Sequence, residues 1–182
     1  MSPEGLQLHA PGRRPLTMPD PSATSVDNFA RVSDVLYRGA QPEREGFAWL
    51  KHIGVKTIVS LRELHGDREG LAGLGMRYVR LGFNATEPSD ELVAQFIQLV
   101  RDPSNQPVYV HCQMGADRTG MMVVAYRVIE QGWPMAEAVR ELPRFGFHES
   151  WTDILRYLAD MDSARIEALA QTQAPPVVEI VP

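Results

Sequence analysis

The chain contains a single cysteine, Cys112, and an arginine, Arg118, follows it six positions later. Two glycines, Gly115 and Gly120, lie between these residues and just beyond them. We call the ten residues His111–Gly120 (HCQMGADRTG) the Cys112 loop. A thiolate is a strong nucleophile, and a guanidinium binds two phosphate oxygens at once and stays charged at any physiological pH. These two groups on one short segment predict a cysteine that attacks phosphorus.

The flanking segments indicate how such a loop is held. The apolar run Val108–Val110 predicts a buried strand, and residues 118–131 predict a helix. A strand that turns directly into a helix leaves several backbone N–H groups pointing into one concavity, at the positive end of the helix dipole. Such a nest of N–H groups binds anions. We therefore predict a phosphate-binding cradle formed by Gln113, Met114, Gly115, Ala116, Asp117, Arg118 and Thr119.

The same electric field acts on the sulfur atom. The pKa of a free thiol is about 8.5, and that of thiols at helix N-termini or near cations falls to roughly 3.5–7.5. We therefore expect Cys112 to be a thiolate at neutral pH. Thr119 places a hydroxyl donor beside the sulfur. His111 is expected to act as a scaffold that hydrogen-bonds nearby backbone, and Gly120 to support the turn into the helix.

Composition limits the classes of protein to which the chain can belong. Its 182 residues, 44% of them hydrophobic, predict one globular domain with an ordinary core. A net charge of −5 without a Lys/Arg cluster argues against nucleic acid or a membrane surface as a partner. One cysteine excludes an internal disulfide, which favours a reducing, cytoplasmic location. The five histidines show no metal-ligand spacing, so we predict neither a metal nor a cofactor.

Strand and helix patterns alternate along the chain. Strands are predicted at Val35–Arg38, Thr57–Leu61, Arg77–Leu81 and Pro107–His111, and helices at 42–54, within 66–75, from the N-cap Ser89, and at 118–131, 134–142 and 149–170. This alternation predicts a three-layer α/β fold, with a central, mostly parallel twisted sheet of four to five strands and helices on both faces. Cys112 then lies at the carboxyl end of a strand, where such sheets place their sites.

Both ends of the chain differ from the middle. Residues 1–25 contain five prolines and little apolar periodicity, which predicts a flexible arm. No apolar stretch of signal-peptide length follows Arg13-Arg14, so no signal sequence is expected. Residues 171–182, with Pro175-Pro176, predict a flexible tail, and residues 26–170 form the predicted domain.

The Cys112 loop resembles the signature loop of cysteine-based protein tyrosine and dual-specificity phosphatases. Leu36–Pro42 (LYRGAQP) and Val55–Arg62 (VKTIVSLR) resemble the N-terminal part of small bacterial and of plant and fungal atypical dual-specificity phosphatases. Phe145–His148, followed by an amphipathic helix, is similar to the C-terminal part of the bacterial members. The loop is highly specific for this superfamily but not for a substrate within it.

The resemblance implies a two-step hydrolysis of a phosphomonoester. Cys112 attacks phosphorus and forms a phosphocysteine intermediate, while Arg118 and the N–H groups of residues 113–118 stabilise the charge on the phosphoryl oxygens. A general acid protonates the leaving oxygen and then acts as a base on water. No metal takes part in this reaction.

The general acid of the family is usually an Asp on a loop before the nucleophile, but Asn84 stands near that place here. An amide cannot donate and take back a proton. Three carboxylates remain as candidates: Asp90 and Glu87 near a helix start, with Asp90 favoured, and Asp117 inside the Cys112 loop. Some phosphoinositide phosphatases of the superfamily also carry Asp before the Arg.

Several further residues are secondary candidates for the site. Arg38, Arg62 and His148 are expected near it, with Arg62 either contacting substrate or pairing with an acid. The segment Phe145–His148 is expected to pack a loop beside the site, and Trp151 to belong to the core.

Three functions are compatible with these residues. The first is a phosphatase of phosphotyrosine, or of phosphoserine and phosphothreonine, acting on a phosphorylated protein or a small phosphoester. The second is a phosphatase of phosphoinositides or inositol (pyro)phosphates, although Gln113, Met114 and Ala116 add no cation for such substrates. The third is a phosphate-binding pseudophosphatase that retains Cys112 and Arg118 but lacks an acid. The sequence predicts no oligomeric state.

Overall fold

The computed structural model describes residues 25–182, so the predicted arm lies outside the described residues apart from Ser25. Within this range six strands form one sheet in the order β1-β2-β5-β3-β4-β6. The strands are β1 (Ala30–Arg31), β2 (Leu36–Gly39), β3 (Thr57–Ser60), β4 (Arg77–Arg80), β5 (Val108–His111) and β6 (Glu179–Ile180). The α-helices are α1 (Arg44–His52), α2 (Arg68–Leu71), α3 (Asp90–Arg101), α4 (Asp117–Ile129), α5 (Met135–Ala138), α6 (Thr152–Asp160) and α7 (Ser163–Thr172).

The four central strands run parallel, as predicted. Strand β5 pairs with β2 on one side and with β3 on the other, and β4 pairs with β3. The two-residue strands β1 and β6 are antiparallel and close the two edges. Since β5 is flanked on both sides, the residue that follows it lies at the middle of the carboxyl edge.

Helices cover both faces of the sheet, which confirms the three-layer prediction. Successive side chains of a strand point to opposite faces. Tyr109 of β5 therefore joins the apolar cluster of α1 and α2 around Phe47 and Leu50, whereas Val110 joins the larger cluster of α3, α4 and α6. Two hydrophobic layers thus fix the strand that carries Cys112.

Helix α4 is buried along most of its length, from Thr119 to Arg127. The helix before it in the chain, α3, begins where the sequence predicts, because the Ser89 side chain accepts a hydrogen bond from the Leu92 N–H at 3.3 Å. None of the helices in residues 25–182 is long and apolar enough to cross a membrane.

The C-terminal part differs from the predictions. The single helix expected at 149–170 is two helices, α6 and α7, and Asp162 caps the second by accepting from the Arg165 N–H at 3.0 Å. The expected flexible tail is wrong over its last residues, because Glu179–Ile180 pair with β4 and Val181 is 5% exposed. A strand needs only a few apolar residues and a free sheet edge, and the proline-rich composition concealed this short one.

Candidate active site

Cys112 directly follows β5, and its side chain is 3% exposed. It lines a cleft of about 270 Å³ at the carboxyl edge of the sheet. One wall of the cleft consists of loop residues, namely Cys112, Gln113, Met114, Asp117 and Arg118. The facing wall consists of Glu63, Asn84, Ala85 and Trp151. The cysteine therefore faces a cleft rather than packed hydrocarbon alone.

The carbonyl groups of the loop are turned away from this cleft. Each of the four carbonyl oxygens of residues 112–115 accepts a hydrogen bond, either from a side chain or from a backbone N–H outside the loop. In order, the donors are His111 Nδ1 at 2.9 Å, the Gln41 N–H at 3.0 Å, Asn28 Nδ2 at 3.0 Å and Arg38 Nη2 at 2.8 Å. In a trans peptide the N–H points opposite to the C=O. The N–H groups of residues 113–116 donate to no acceptor among the described residues and lie where the sequence predicts the phosphate-binding cradle.

Gly115 brings the loop against the end of β2. Its φ of +68° lies in the left-handed region, and a Cβ there would overlap backbone atoms of Gly39 and Ala40. Only glycine permits both this conformation and this close approach, so the position of the cradle depends on it.

Arg118 is held over the ends of two strands. Its Nη1 donates to the carbonyl oxygens of Leu61 and Phe83, both at 3.3 Å, and these residues follow β3 and β4. Helix α4 begins at Asp117, so the positive end of its dipole and the guanidinium lie at the same cleft. Together with the free N–H groups they place hydrogen-bond donors and positive charge at the cleft that Cys112 lines.

His111 acts as the predicted scaffold, but with a partner that the sequence did not reveal. Its Nδ1 donates to the Cys112 carbonyl, and its Nε2 donates to Asp67 Oδ2 at 2.7 Å, with both side chains fully buried. Burial alone would raise the pKa of Asp67, but the hydrogen bond and positive charge of His111, together with Gln41, lower it below its ordinary value. Asp67 is thus a buried carboxylate that orients the histidine next to the nucleophile.

The structure does not bring Asp90 or Glu87 to the cleft. The carboxylate of Asp90 accepts from the Tyr157 hydroxyl at 2.9 Å and pairs with Arg165 at 3.3 Å, so its role is structural. Glu87 is exposed and is not among the residues that line the cleft. Asn84 does line it, with its Oδ1 accepting from both the N–H and the hydroxyl of Thr86.

Two carboxylates line the cleft, Asp117 and Glu63. Asp117 accepts from the backbone N–H of His148 at 2.8 Å and contacts the Nδ1 of the same residue at 3.0 Å, which gives His148 a place at the site. Glu63 is exposed and was missed from the sequence, although its position three residues after β3, at the carboxyl edge, was the available signal.

The remaining candidates occupy different places. Gln113 and Met114 are exposed at the cleft, while Ala116, Thr119 and Gly120 are buried behind it. The predicted bond between Thr119 and the sulfur is absent, since its Oγ1 has no hydrogen-bond partner among the described residues.

Some of the secondary candidates pack around the loop, and others reach the cleft. Arg62 donates to the Gln41 side chain at 3.1 Å and does not line the cleft. Phe145 lies under the loop against Arg38, as expected for a packing segment. Trp151 packs on the core and also lines the cleft, so its predicted core role was incomplete.

Within residues 25–182 no group of three or more His, Cys, Asp or Glu side chains is arranged to hold a metal ion. The site instead combines a thiol, a guanidinium, free backbone N–H groups and two carboxylates. These are the groups required for nucleophilic attack on phosphorus, for stabilising phosphoryl oxygens and for proton transfer.

Comparison with known proteins gives a consistent result. Residues 21–152 match the family described as DSP-PTPase phosphatase fused to NAD+ kinase. The dual specificity protein phosphatase TpbA of Pseudomonas aeruginosa (strain UCBPP-PA14) is 35% identical over 162 residues, which span 85% of this chain and 73% of TpbA. The inositol diphosphatase DSP4 of Arabidopsis thaliana is 28% identical over 148 residues, spanning 77% of this chain and 74% of that protein.

Solved structures agree. The crystal structure of P. aeruginosa TpbA superposes with a TM-score of 0.75 at 29% identity, covering 86% of this chain and 96% of that one. A Cys-to-Ser variant of TpbA was solved in complex with phosphotyrosine and superposes with a TM-score of 0.74 at 28% identity, covering 86% of this chain and 96% of that one. The chain therefore belongs to the DSP-PTPase family and is a hydrolase of the cysteine-based tyrosine and dual-specificity phosphatase type.

Proposed function

We propose that this protein hydrolyses aryl phosphomonoesters, with phosphotyrosine as the substrate class, through a phosphocysteine intermediate on Cys112. The observation that carries the proposal is the free row of N–H groups at residues 113–116, held open by four anchored carbonyls beside the sulfur and Arg118. Cys112 is the only thiol of the chain and Arg118 the one basic residue that lines this cleft among the described residues.

In the first step the Cys112 sulfur attacks phosphorus in line, a P–S bond forms and the P–O bond to the leaving group breaks. Arg118 and the N–H groups of residues 113–116 stabilise the three remaining phosphoryl oxygens. The leaving oxygen takes a proton from the general acid. In the second step water gives a proton back to that group and attacks phosphorus, which releases inorganic phosphate and regenerates the thiolate.

We assign the proton transfer to Asp117. Its carboxyl lines the cleft, follows the cradle directly, and is held in place by the N–H and Nδ1 of His148. Glu63 on the facing wall is the competing candidate, since no other carboxylate lines the cleft within the described residues. Asn84, at the place where many family members carry Asp, cannot perform this step.

The lining of the cleft supports an aryl ester. Trp151 and Ala85 offer apolar surface next to the phosphate position, and Arg118 is the one basic residue among those that line it. A solved relative agrees with this assignment, because the TpbA variant was crystallised in complex with phosphotyrosine.

A second candidate substrate is an inositol pyrophosphate. Relatives named inositol diphosphatases, such as DSP4, match over most of this chain. The charge of the cleft opposes this alternative, because Arg118 is the one basic residue that lines it and the carboxylate of Glu63 would repel a substrate that itself carries several negative charges.

The test uses steady-state hydrolysis of two esters, an aryl phosphate with a good leaving group and a phosphotyrosine peptide. We expect Cys112→Ser to abolish turnover and Arg118→Lys to lower kcat by about 10²–10³-fold, because lysine cannot bind two oxygens in a fixed plane. Asp117→Asn is expected to lower kcat on the phosphopeptide by about 10²–10⁴-fold and less on the activated ester, which needs less protonation.

Glu63→Gln and Asp90→Asn serve as matched carboxyl-to-amide controls, one inside the cleft and one bonded to Tyr157 outside it. Both are expected to retain most of the activity. A larger loss in Glu63→Gln than in Asp117→Asn would transfer the acid role to Glu63. Faster release of phosphate from an inositol pyrophosphate than from the phosphopeptide would reject the aryl assignment, and phosphate binding without any turnover would identify a pseudophosphatase.

A further inference from the structure

A second arginine, Arg38 of β2, lies directly beneath the Cys112 loop. Its side chain is 1% exposed, its Nη2 donates to the Gly115 carbonyl at 2.8 Å, and its guanidinium carbon lies 3.6 Å from the centre of the Phe145 ring. Its Nε has no hydrogen-bond partner among the described residues. The hydrogen bond to Gly115 and the contact with the Phe145 ring fix the orientation of the guanidinium, but neither neutralises its positive charge.

No carboxylate forms an ion pair with Arg38 within residues 25–182. The carboxylate that acts on it most strongly is Glu141, but both oxygens of Glu141 are taken by Arg127, at 3.1 Å each. Burial lowers the pKa of Arg38 to about 10, and the negative charges of Glu141 and Cys112 oppose this shift. Burying a cation without an ion-pair partner costs free energy, so a buried Arg38 requires an anion nearby.

Within residues 25–182 no other charged or titratable group near Cys112 pairs with Arg38. The carboxylate of Asp67 is bonded to His111, and that of Asp117 is bonded to His148. Burial keeps the pKa of Tyr109 well above its usual range, so this phenol stays neutral. The two that remain are Glu63, exposed on the facing wall, and Arg118, which is bonded to carbonyls at the ends of β3 and β4.

We propose that Arg38 is a positioning residue for the reaction, which holds the Gly115 carbonyl away from the cleft and supplies the buried positive charge that stabilises the Cys112 thiolate from beneath. Arg118 faces the substrate oxygens, whereas Arg38 acts on the nucleophile through the loop. The inference deepens the proposed function, because it takes Cys112 as the nucleophile.

The test reads the thiol without requiring turnover. Since Cys112 is the only cysteine, the rate of alkylation by iodoacetamide as a function of pH reports this residue alone. Arg38→Gln keeps a side-chain donor for the Gly115 carbonyl and removes the charge. We expect the midpoint of its alkylation profile to rise by about one pH unit or more, because a buried positive charge that favours the thiolate is removed. The acidic limb of the kcat/KM profile on an aryl phosphate should move with it.

Arg38→Lys retains a buried cation but loses the planar fork. We expect its alkylation midpoint to stay within about half a pH unit of the wild type, while kcat/KM falls because the Gly115 carbonyl is less well held. This variant is the second test if Arg38→Gln does not fold, and a full-unit rise in its midpoint would contradict the proposal.

The control is the double variant Arg127→Gln/Glu141→Gln, which removes another buried arginine together with its partner. Its midpoint should equal that of the wild type. A folded Arg38→Gln protein with an unchanged midpoint would overturn the inference, since a purely structural arginine does not move the ionisation of the thiol. If the midpoint shifts but wild-type protein hydrolyses no phosphoester, the proposed function fails and the role of Arg38 stands.

Discussion

Asp67 and His111 form a buried hydrogen-bonded pair next to Cys112. This pair explains what a histidine directly before the cysteine contributes to the structure of the loop. When Asp67 is ionised, both of its oxygens and the Cys112 carbonyl can only accept hydrogen bonds. Both ring nitrogens of His111 then donate, which fixes the imidazole at both ends. The first peptide of the loop is thereby held in one orientation.

The pair makes stability depend on pH. Because the folded pKa of Asp67 lies below its unfolded value of about 3.8, the unfolded chain binds more protons as the pH falls through this region. The stabilisation is therefore fully present above about pH 4 and is lost as the pH falls towards the folded pKa. We expect Asp67→Asn to lower the free energy of unfolding by about 1–3 kcal/mol at pH 7, and by less at pH 3.

Urea unfolding at pH 7, 5 and 3 measures both quantities. Asp153→Asn changes a half-buried carboxyl of α6 in the same way and should leave the pH dependence as in the wild type. Equal pH slopes for Asp67→Asn and wild type would show that the buried pair does not contribute as described.

At the scale of elements, the site is a junction between the Cys112 loop and residues 28–41, the segment that contains β1 and β2. Asn28, Arg38 and the Gln41 N–H all belong to this segment, and each holds one carbonyl of the loop. Gly115, which has no Cβ, packs directly against the backbone of Gly39 and Ala40 at the end of β2. Strand β2 and the residues next to it therefore fix the backbone of the cradle, in addition to the pairing of β2 with β5.

Gly115→Ala tests this junction. The added methyl group requires a left-handed backbone for alanine and overlaps the backbone of Gly39 and Ala40. We expect a loss of about 3 kcal/mol in unfolding free energy, and a fall in kcat/KM of about 10²-fold or more, because a displacement of about 1 Å misaligns the N–H groups. Thermal unfolding and hydrolysis of an aryl phosphate provide the measurements.

Gly132→Ala is the matched control. Gly132 also has a positive φ, of +64°, but nothing lies within 4 Å of its Cβ position. It should lose only about 1–2 kcal/mol from the backbone strain and keep its activity. Similar losses of activity in the two variants would mean that contact with β2 is not what shapes the cradle.

At the scale of the whole molecule, the C-terminal residues complete the sheet on the side away from β1. The Val181 N–H donates to the Met76 carbonyl at 3.0 Å, and Glu179 pairs with Arg68 at 2.7 Å. Strand β6 thereby covers the edge of β4 and ties the last residues to α2. An exposed edge of this kind is a site for unwanted pairing between chains, so its closure protects the domain.

Val181→Asp is expected to detach this strand. It places a charge at a position that is 5% exposed and removes a buried apolar side chain, so the free energy of unfolding should fall by about 2–3 kcal/mol. Val177→Asp, at a position that is 87% exposed, should change it by less than about 0.5 kcal/mol. Urea unfolding compares the two variants, and equal stabilities would show that β6 adds nothing to the fold.

The sequence by itself determined which residues are the candidates for the nucleophile, the guanidinium and the cradle, because all of them lie within ten consecutive residues between a strand and a helix. Local chain geometry, namely an apolar strand, a glycine turn and a helix start, suffices to bring Cys112 and Arg118 to one cleft. The same reasoning located the four parallel strands, since each is a short apolar run bounded by turns.

Only the tertiary structure decided what surrounds the loop. Asp67 lies 44 positions from His111, Arg38 lies 77 from Gly115 and Asn28 lies 86 from Met114, so no local pattern joins them. Their meeting depends on the order of strands β2, β5 and β3 in the sheet, which is set by packing on both faces. The prediction for Asp90 was wrong for the same reason: its helix turns the carboxylate towards Tyr157 and Arg165, and a position along the chain does not reveal the direction in which a side chain points.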